Sequence, residues 1–274
     1  MNSDCPPPAQ QARQAGGAAW AGGQSGWVAE AIREAVALLM PGVTVEILPE
    51  IDSSNTELMR RARAGRMEPV LLVAERQSAG RGRLGRGWAS APGDSLTFSL
   101  GLPLAPGDWS GLSLAVGVSL AESLDPRIRL KWPNDLWLDD RKLAGILIET
   151  AGTGPGLRYA VIGVGINLAV PAAAGLTTPP AGLRELLPDC QAGATLLRVA
   201  APLVQAIRVF ERQGFGAFKA RFDGRDALRD RTIVLSDGTS GVGRGTTDQG
   251  ALRVQTAEGI KAVNSSEVSV RTGA

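Results

Sequence analysis

The sequence predicts an α+β chain: a mixed β-sheet flanked by helices, followed by a small all-β module. Three observations carry that prediction. Apolar residues recur at helical spacing in several runs, including Trp27–Met40 and a run of about 18 residues from Ala194. Between them lie segments of strand length, such as L-T-F-S-L-G-L from Leu96 and Y-A-V-I-G-V-G-I-N-L from Tyr159. Near Asp230 the pattern changes to short strands punctuated by the turn pairs Asp237-Gly238 and Glu258-Gly259, as in small barrels and sandwiches. These shifts divide the chain into a disordered Pro/Ala/Gln/Gly-rich tail over residues 1–26, a main domain over 27–228 and a small β domain over 229–274.

Taken in order, the first helix stops at Pro41-Gly42 and V-T-V-E-I-L from Val43 alternates as a strand. Ser54 followed by Glu57 fits a capping box, so a second helix starts there and ends at Gly65. The strand P-V-L-L-V-A and a long Arg-Gly loop precede the strand from Leu96. A helix over Trp109–Leu124 then closes at Asp125-Pro126. R-I-R-L-K-W is a strand broken by Pro133, and D-L-W-L pairs with K-L-A-G-I-L-I-E-T around Asp139-Asp140. After the Tyr159 strand come a Pro/Gly/Ala-rich connection over 171–193, the helix from Ala194, and a further helix over Phe215–Leu228.

Composition excludes several classes of function. A net charge of +2 is too small for nucleic acid to be the main partner. Two cysteines, Cys5 and Cys190, make neither a disulfide framework nor a metal cluster. The chain lacks a signal-peptide pattern and a membrane-spanning run, so a cytoplasmic location with no membrane partner is expected. Histidine is absent altogether, which removes Ser-His-Asp and Cys-His catalysis. An enzyme built from this chain works through positioning, charge or a bound nucleotide.

Five stretches carry chemistry. G-R-G-R-L-G-R-G-W over Gly80–Trp88 sets Arg81, Arg83 and Arg86 among glycines, with no acidic residue until Asp94. Glycine permits close backbone approach and arginine forks onto phosphate or carboxylate, so the residues alone read either as an anion-binding loop between two strands or as a flexible, solvated basic loop. A strand after it, rather than a helix, rules out a dinucleotide fingerprint, and no G-K-[ST] ending makes it a Walker loop. Ser53, Ser54 and Asn55 stand at a helix N-terminus, where a polar head group can bind. K-W-P-N-D over Lys131–Asp135 offers an ammonium, an amide and a carboxylate at a strand end. In R-K-L-A-G-I-L-I-E, strict alternation puts Lys142 on the face of Ala144 and Ile146, opposite Leu143, Gly145 and Leu147. Gly163, Gly165 and Asn167 interrupt an apolar strand, the mark of close approach by a ligand or another backbone.

In this order the five stretches resemble the biotin–protein ligases, strongly over about residues 43–170 and more weakly to the C-terminus. There a D-G turn, a G-A-L stretch and a closing S-x-E-V-S-V-R are similar to the family's terminal barrel. The resemblance implies a class II synthetase-like catalytic domain with a C-terminal β-barrel of the Src-homology-3 type. It implies that biotin and ATP form biotinyl-5′-adenylate and that the acyl group passes to a lysine of a biotin carboxyl carrier domain. By motif, Ser53, Ser54, Asn55 and Gln77 line the ureido end of the biotin pocket. Arg81, Gly82, Arg83 and Lys142 meet the biotin carboxylate and the adenylate phosphate, with Arg81, Arg83 and Lys142 catalytic. Trp88, Lys131, Asn134, Asp135 and Asn167 serve ATP, and Asp135 serves magnesium carried by ATP.

Two departures qualify the resemblance. Ser54 stands where threonine is commoner. Too few residues precede the Val43 strand to hold a three-helix DNA-binding unit, so a ligase without a repressor domain, acting on no DNA, is expected. Either a monomer or a homodimer fits, since an exposed sheet edge can pair. The alternatives are a lipoate or octanoate ligase or transferase of the same superfamily, and a biotin-responsive regulatory protein.

Overall fold

The computed structural model describes residues 24–152, 156–172, 178–264 and 270–272. The expected tail therefore lies outside the described residues, except that residues 24–26 form the start of helix α1 (Gln24–Ala37). The fold class is the one expected, α+β. A seven-stranded mixed sheet has the order β1-β2-β3-β7-β6-β5-β4. Its strands are β1 (Thr44–Ile51), β2 (Val70–Gln77), β3 (Ser95–Leu104), β4 (Arg129–Lys131), β5 (Asp135–Leu138), β6 (Arg141–Ala151) and β7 (Arg158–Asn167). Only β1 and β2 run parallel; the other neighbours are antiparallel.

Alternation along the strands decides what each face does. Leu71 and Val73 of β2, Leu96, Phe98, Leu100 and Leu102 of β3, and Ile162, Val164 and Ile166 of β7 enter one large core. That core is covered by α1, α3 (Leu112–Leu124) and α4 (Ala192–Gln213). The opposite face is closed at one end by α2 (Ser54–Arg63). There Leu58 and Met59 pack on Leu72, Tyr159 and Val161. Beyond α2 this second face bears Thr97, Ser99, Gly163, Gly165 and Asn167, and it is here that a cleft opens. Helix α4 is long and apolar enough to cross a membrane by length and composition. Its buried residues Leu196, Val199, Ala200, Leu203, Val204, Ile207 and Phe210 follow the helical period and seat it in the core.

The turn at Asp139-Asp140 has both residues at positive φ, 48° and 60°, the geometry of a tight two-residue hairpin. Two expectations are corrected. The cap of α2 is Ser53, whose hydroxyl accepts from Thr56 N; Ser54 is already helical. No long helix fills Phe215–Leu228: a 3₁₀ turn at Phe215–Ala217 and the short α5 (Lys219–Asp223) stand there, broken by Gly224.

A second, five-stranded antiparallel sheet follows: β8 (Thr232–Leu235), β9 (Ser240–Thr246), β10 (Leu252–Thr256), β11 (Gly259–Val263) and β12 (Val270–Thr272), in the order β11-β10-β9-β8-β12. It is tied to the first unit by Trp132 Nε1, which donates to Gly250 O at 3.0 Å, and by an Arg231–Asp140 ion pair.

At this junction Asp226 is 1 % exposed. Its Oδ1 accepts from Leu228 N at 2.8 Å while Oδ2 has no partner. Burial pushes its carboxyl up to about 6, with Asp223 adding to the shift. An acid whose folded pKa is raised favours the folded state when protonated, so this contribution is lost as pH rises from about 4 through 6. Asp226→Asn should therefore flatten the pH dependence of stability over that window and stabilise the protein at pH 8 by roughly 2 kcal/mol. Denaturant midpoints at pH 4.5 and 8 check this; equal pH slopes for both proteins would contradict it.

Candidate active site

The cleft encloses about 420 Å³. Every residue singled out by motif borders it: Ser53, Ser54, Asn55, Gln77, Arg81, Gly82, Arg83, Trp88, Lys131, Asn134, Asp135, Lys142 and Asn167. At one end the floor is polar and buried. Ser99 Oγ lies 2.7 Å from Ser54 Oγ and donates to Asn55 Oδ1 at 2.6 Å. Gln77 Oε1 accepts from Ser54 N at 2.8 Å. Asn55 Nδ2 donates to Leu147 O and to Glu149 Oε2, at 3.2 and 3.0 Å. Ser53, Ser54, Asn55 and Ser99 are all buried, so their remaining polar valences have no bulk water to turn to.

Two glycines of β7 make this floor possible. In the sheet, Gly163 stands between Ser99 of β3 and Leu147 of β6, and Gly165 between Thr97 and Gly145. A Cβ on Gly163 would come within 2.1 Å of Asn55 Oδ1, and one on Gly165 within 2.3 Å of the Trp88 ring. The close approach read from the sequence is made by side chains, not by another backbone. Trp88 lies across Gly165 and Gly145, with its Nε1 buried and unpartnered.

The other end is cationic. Lys142 Nζ is ion-paired to Asp135 Oδ1 at 2.8 Å, outside hydrogen-bond geometry, and lies 5.9 Å from the centre of the Trp88 ring. Lys131 stacks its ammonium on Trp137 at 4.7 Å. Arg83 is half-buried and donates to Asn134 Oδ1 at 3.4 Å. Burial pulls its pKa down, Asp135 opposes that shift and Arg86 adds to it. Asn134 is locked to β6, its Nδ2 donating to Ile146 O at 2.8 Å and its carbonyl accepting from Ile146 N at 3.0 Å. Arg86, whose place in the site the motifs left open, also borders the cleft. Among the described lining residues the cations outnumber the one carboxylate, Asp135. Such a surface is suited to polyphosphate.

The face assigned to Lys142 by strict alternation is wrong. Trp137 pairs with Lys142 and Leu136 with Ala144, so Leu143 is an extra residue. This β-bulge turns Lys142 onto the face of Gly145 and into the cleft, while Ala144 and Ile146 stay in the core. The bulged strand is braced by Pro179 O, which accepts from Lys142 N, and by Ala181 N, which donates to Lys142 O. Asn167 Nδ2 donates to Lys142 O at 3.2 Å and to Ala181 O at 3.1 Å, so its amide clamps the lysine backbone.

The Arg-Gly loop folds back on itself. Trp88 N donates to Gly80 O at 2.9 Å and Gly82 N to Arg86 O at 2.7 Å, with Leu84 at the tip at φ 56°. Arg81 and Arg83 point to different places: the Arg81 guanidinium is held by Glu149 at 3.0 Å, whereas Arg83 reaches Asn134. Ser99 is a site residue that motif reading missed, and Glu149, which closes the R-K-L-A-G-I-L-I-E stretch, has no role assigned by it. For Ser99 the signal was available, since Thr97, Ser99 and Gly101 are alternate polar or small positions in an apolar strand.

Residues 48–167 match the Biotin/lipoate A/B protein ligase family and residues 232–271 the Biotin protein ligase C terminal domain. The chain is 36% identical over 250 residues to the Bifunctional ligase/repressor BirA of Escherichia coli, covering 85% of this chain and 76% of that protein. It is 30% identical over 240 residues to the Biotin--[acetyl-CoA-carboxylase] ligase of Paracoccus denitrificans, covering 81% of this chain and 98% of that one. The biotin protein ligase of Aquifex aeolicus in complex with biotin and ATP superposes with a TM-score of 0.71 at 28% identity, covering 84% of this chain and 99% of that chain.

Proposed function

This chain belongs to the biotin–protein ligase family, and on that premise we propose how its cleft divides the work. The activity is ATP-dependent activation of biotin and its transfer to a carboxylase. We assign the acceptor as one lysine of a biotin carboxyl carrier domain and place the boundary between the catalytic unit and the C-terminal sheet near Arg229. The observation that carries the assignment is the polarity of one cleft: buried hydroxyls and amides at one end, clustered cations at the other, and the Trp88 ring beside them.

Ser53, Ser54, Asn55 and Gln77 take the ureido ring, whose N–H and C=O groups match their acceptors and donors. Lipoate offers no such groups at its ring end, and a buried polar floor left unpaired rejects it. The biotin carboxylate, ionised at neutral pH, attacks the α-phosphorus of ATP; the P–O bond to the β-phosphate breaks and pyrophosphate leaves. Two anions meet in this step, so fixed positive charge where they meet lowers the barrier. Lys142 and Arg83 supply it, with Arg86 and Lys131 toward the phosphates, and no histidine base is needed. Gly82 lets the loop backbone pass close to the acyl group, and the indole of Trp88 with Asn167 borders the nucleotide. In the second step the acceptor lysine amine attacks the acyl carbon and AMP leaves.

Asp135, Lys142 and Asn134 make no complete metal cage, and the described residues hold no cluster of three metal-ligating acids or thiols. The buried Oδ1 of Asp135, ion-paired to Lys142 but outside hydrogen-bond geometry, suits a Mg²⁺ that arrives on ATP and keeps most of its water, and that ion would neutralise phosphate charge. Incubation with biotin, MgATP and a carrier domain should add the mass of one biotinyl group to one lysine, and lipoate should add nothing. Modification with lipoate at a comparable rate would move the assignment to the lipoate branch of the superfamily.

A further inference from the structure

Glu149 has no part in the reaction as derived so far, yet it joins three elements of the site. It lies on the cleft face of β6, two residues beyond Leu147, with its side chain 22% exposed. Oε1 accepts from Arg81 Nη2 at 3.0 Å; Oε2 accepts from Arg81 Nη1 at 3.3 Å and from Asn55 Nδ2 at 3.0 Å. Arg81 Nη1 also donates to Thr56 Oγ1 at 3.2 Å. One carboxylate thus connects the first turn of α2, the strand that carries Lys142, and the first limb of the Arg-Gly loop.

We propose that Glu149 is a positioning residue that sets the acceptor geometry of the biotin pocket and holds the Arg-Gly loop through one carboxylate; this rests on the ligase reading. A carboxamide in a buried site has two orientations, and its neighbours choose between them. Asn55 presents Nδ2 to two acceptors, Glu149 Oε2 and Leu147 O, and Oδ1 to the hydroxyl of Ser99. Flipped, Oδ1 would face a carboxylate and a carbonyl, so Glu149 fixes the orientation. With Oδ1 turned toward Ser99, its second lone pair is the acceptor available to a ligand N–H. The same carboxylate grips the Arg81 guanidinium in a two-point pair, which fixes the limb that bridges to Gly87. Asn55 orientation governs biotin affinity, whereas the Arg81 pair governs how long the loop retains the adenylate.

The two roles separate experimentally. Glu149→Gln keeps the volume but cannot supply charged acceptors to both partners. It should weaken biotin binding and speed release of preformed biotinyl-adenylate, each by about 10-fold, with ATP affinity within twofold of wild type. Arg81→Met should speed adenylate release by a similar factor but weaken biotin binding less than Glu149→Gln does, because the Asn55 bond survives. The double variant should release adenylate no faster than the quicker single variant, since both break one interaction. Biotin affinity and adenylate release both unchanged in Glu149→Gln would overturn the proposal, as would additive effects in the double variant or a parallel loss of ATP affinity. If Glu149→Gln lacks a cooperative thermal transition, Arg81→Met still decides: unchanged adenylate release in it overturns the coupling. Wild-type protein that bound no biotin would sink the ligase reading itself, an outcome distinct from a wild type that binds and a variant that binds equally.

Discussion

Lys142→Ala is expected to form biotinyl-adenylate about 10²–10³-fold more slowly than wild type, the usual cost of removing a fixed charge from a transition state. Thermal stability should be little changed. The lysine is partly exposed and its aliphatic stem fills no core space, since the bulge at Leu143 moves it out of the layer formed by Ala144 and Ile146. What disappears is an ammonium held between Asp135 and the Trp88 ring. Because the two anions are brought together only as the carboxylate meets the α-phosphate, kcat and kcat/KM should fall together, with a smaller loss of biotin affinity from the missing contact to its carboxylate. Single-turnover formation of adenylate measures this. A rate within threefold of wild type would remove Lys142 from the chemistry.

Gly163→Ala and Gly165→Ala should damage opposite halves of the site. The two glycines are two residues apart on one strand face, and neither has room for a methyl group. On Gly163 it collides with Asn55 Oδ1 and disturbs the hydrogen bonds to Ser99, Leu147 and Glu149. On Gly165 it displaces the Trp88 ring. Overpacking of this kind costs about 1–3 kcal/mol, so we expect KM for biotin to rise roughly 10–100-fold in Gly163→Ala and KM for ATP by a similar factor in Gly165→Ala. Each variant should leave the other substrate's KM within about threefold. Both constants rising together in either protein would show that the cleft is not divided as described.

The sequence was most informative where chemistry is local. Glycines and arginines crowded into Gly80–Trp88, and hydroxyls before a helical run at Ser53–Ser54, are readable because their residue types have few other uses in that order. What escaped depends on contacts far apart in the chain. Ser99 and Glu149 act through Asn55, 44 and 94 residues away, and no spacing rule links them. The face of Lys142 was misread because a bulge shifts the register, and period-two reasoning carries no sign of it. The different directions of Arg81 and Arg83 were hidden for a similar reason. Their loop repeats one residue type, and the choice is made by Glu149 and Asn134 outside it. The helix expected over Phe215–Leu228 failed because two short turns can bury Phe215, Phe218 and Phe222 as well as one continuous helix would.

One cleft is expected to join biotin to the α-phosphate of ATP without help from any other protein. The direct measurement supplies wild-type chain, in excess over substrate, with biotin, Mg²⁺ and ATP labelled at the α-phosphate, and no carrier domain. Label should accumulate as protein-bound biotinyl-AMP with one pyrophosphate released per adenylate, and adding carrier domain should convert it to AMP. Label appearing only as ADP, or AMP forming at the same rate without biotin, would contradict it.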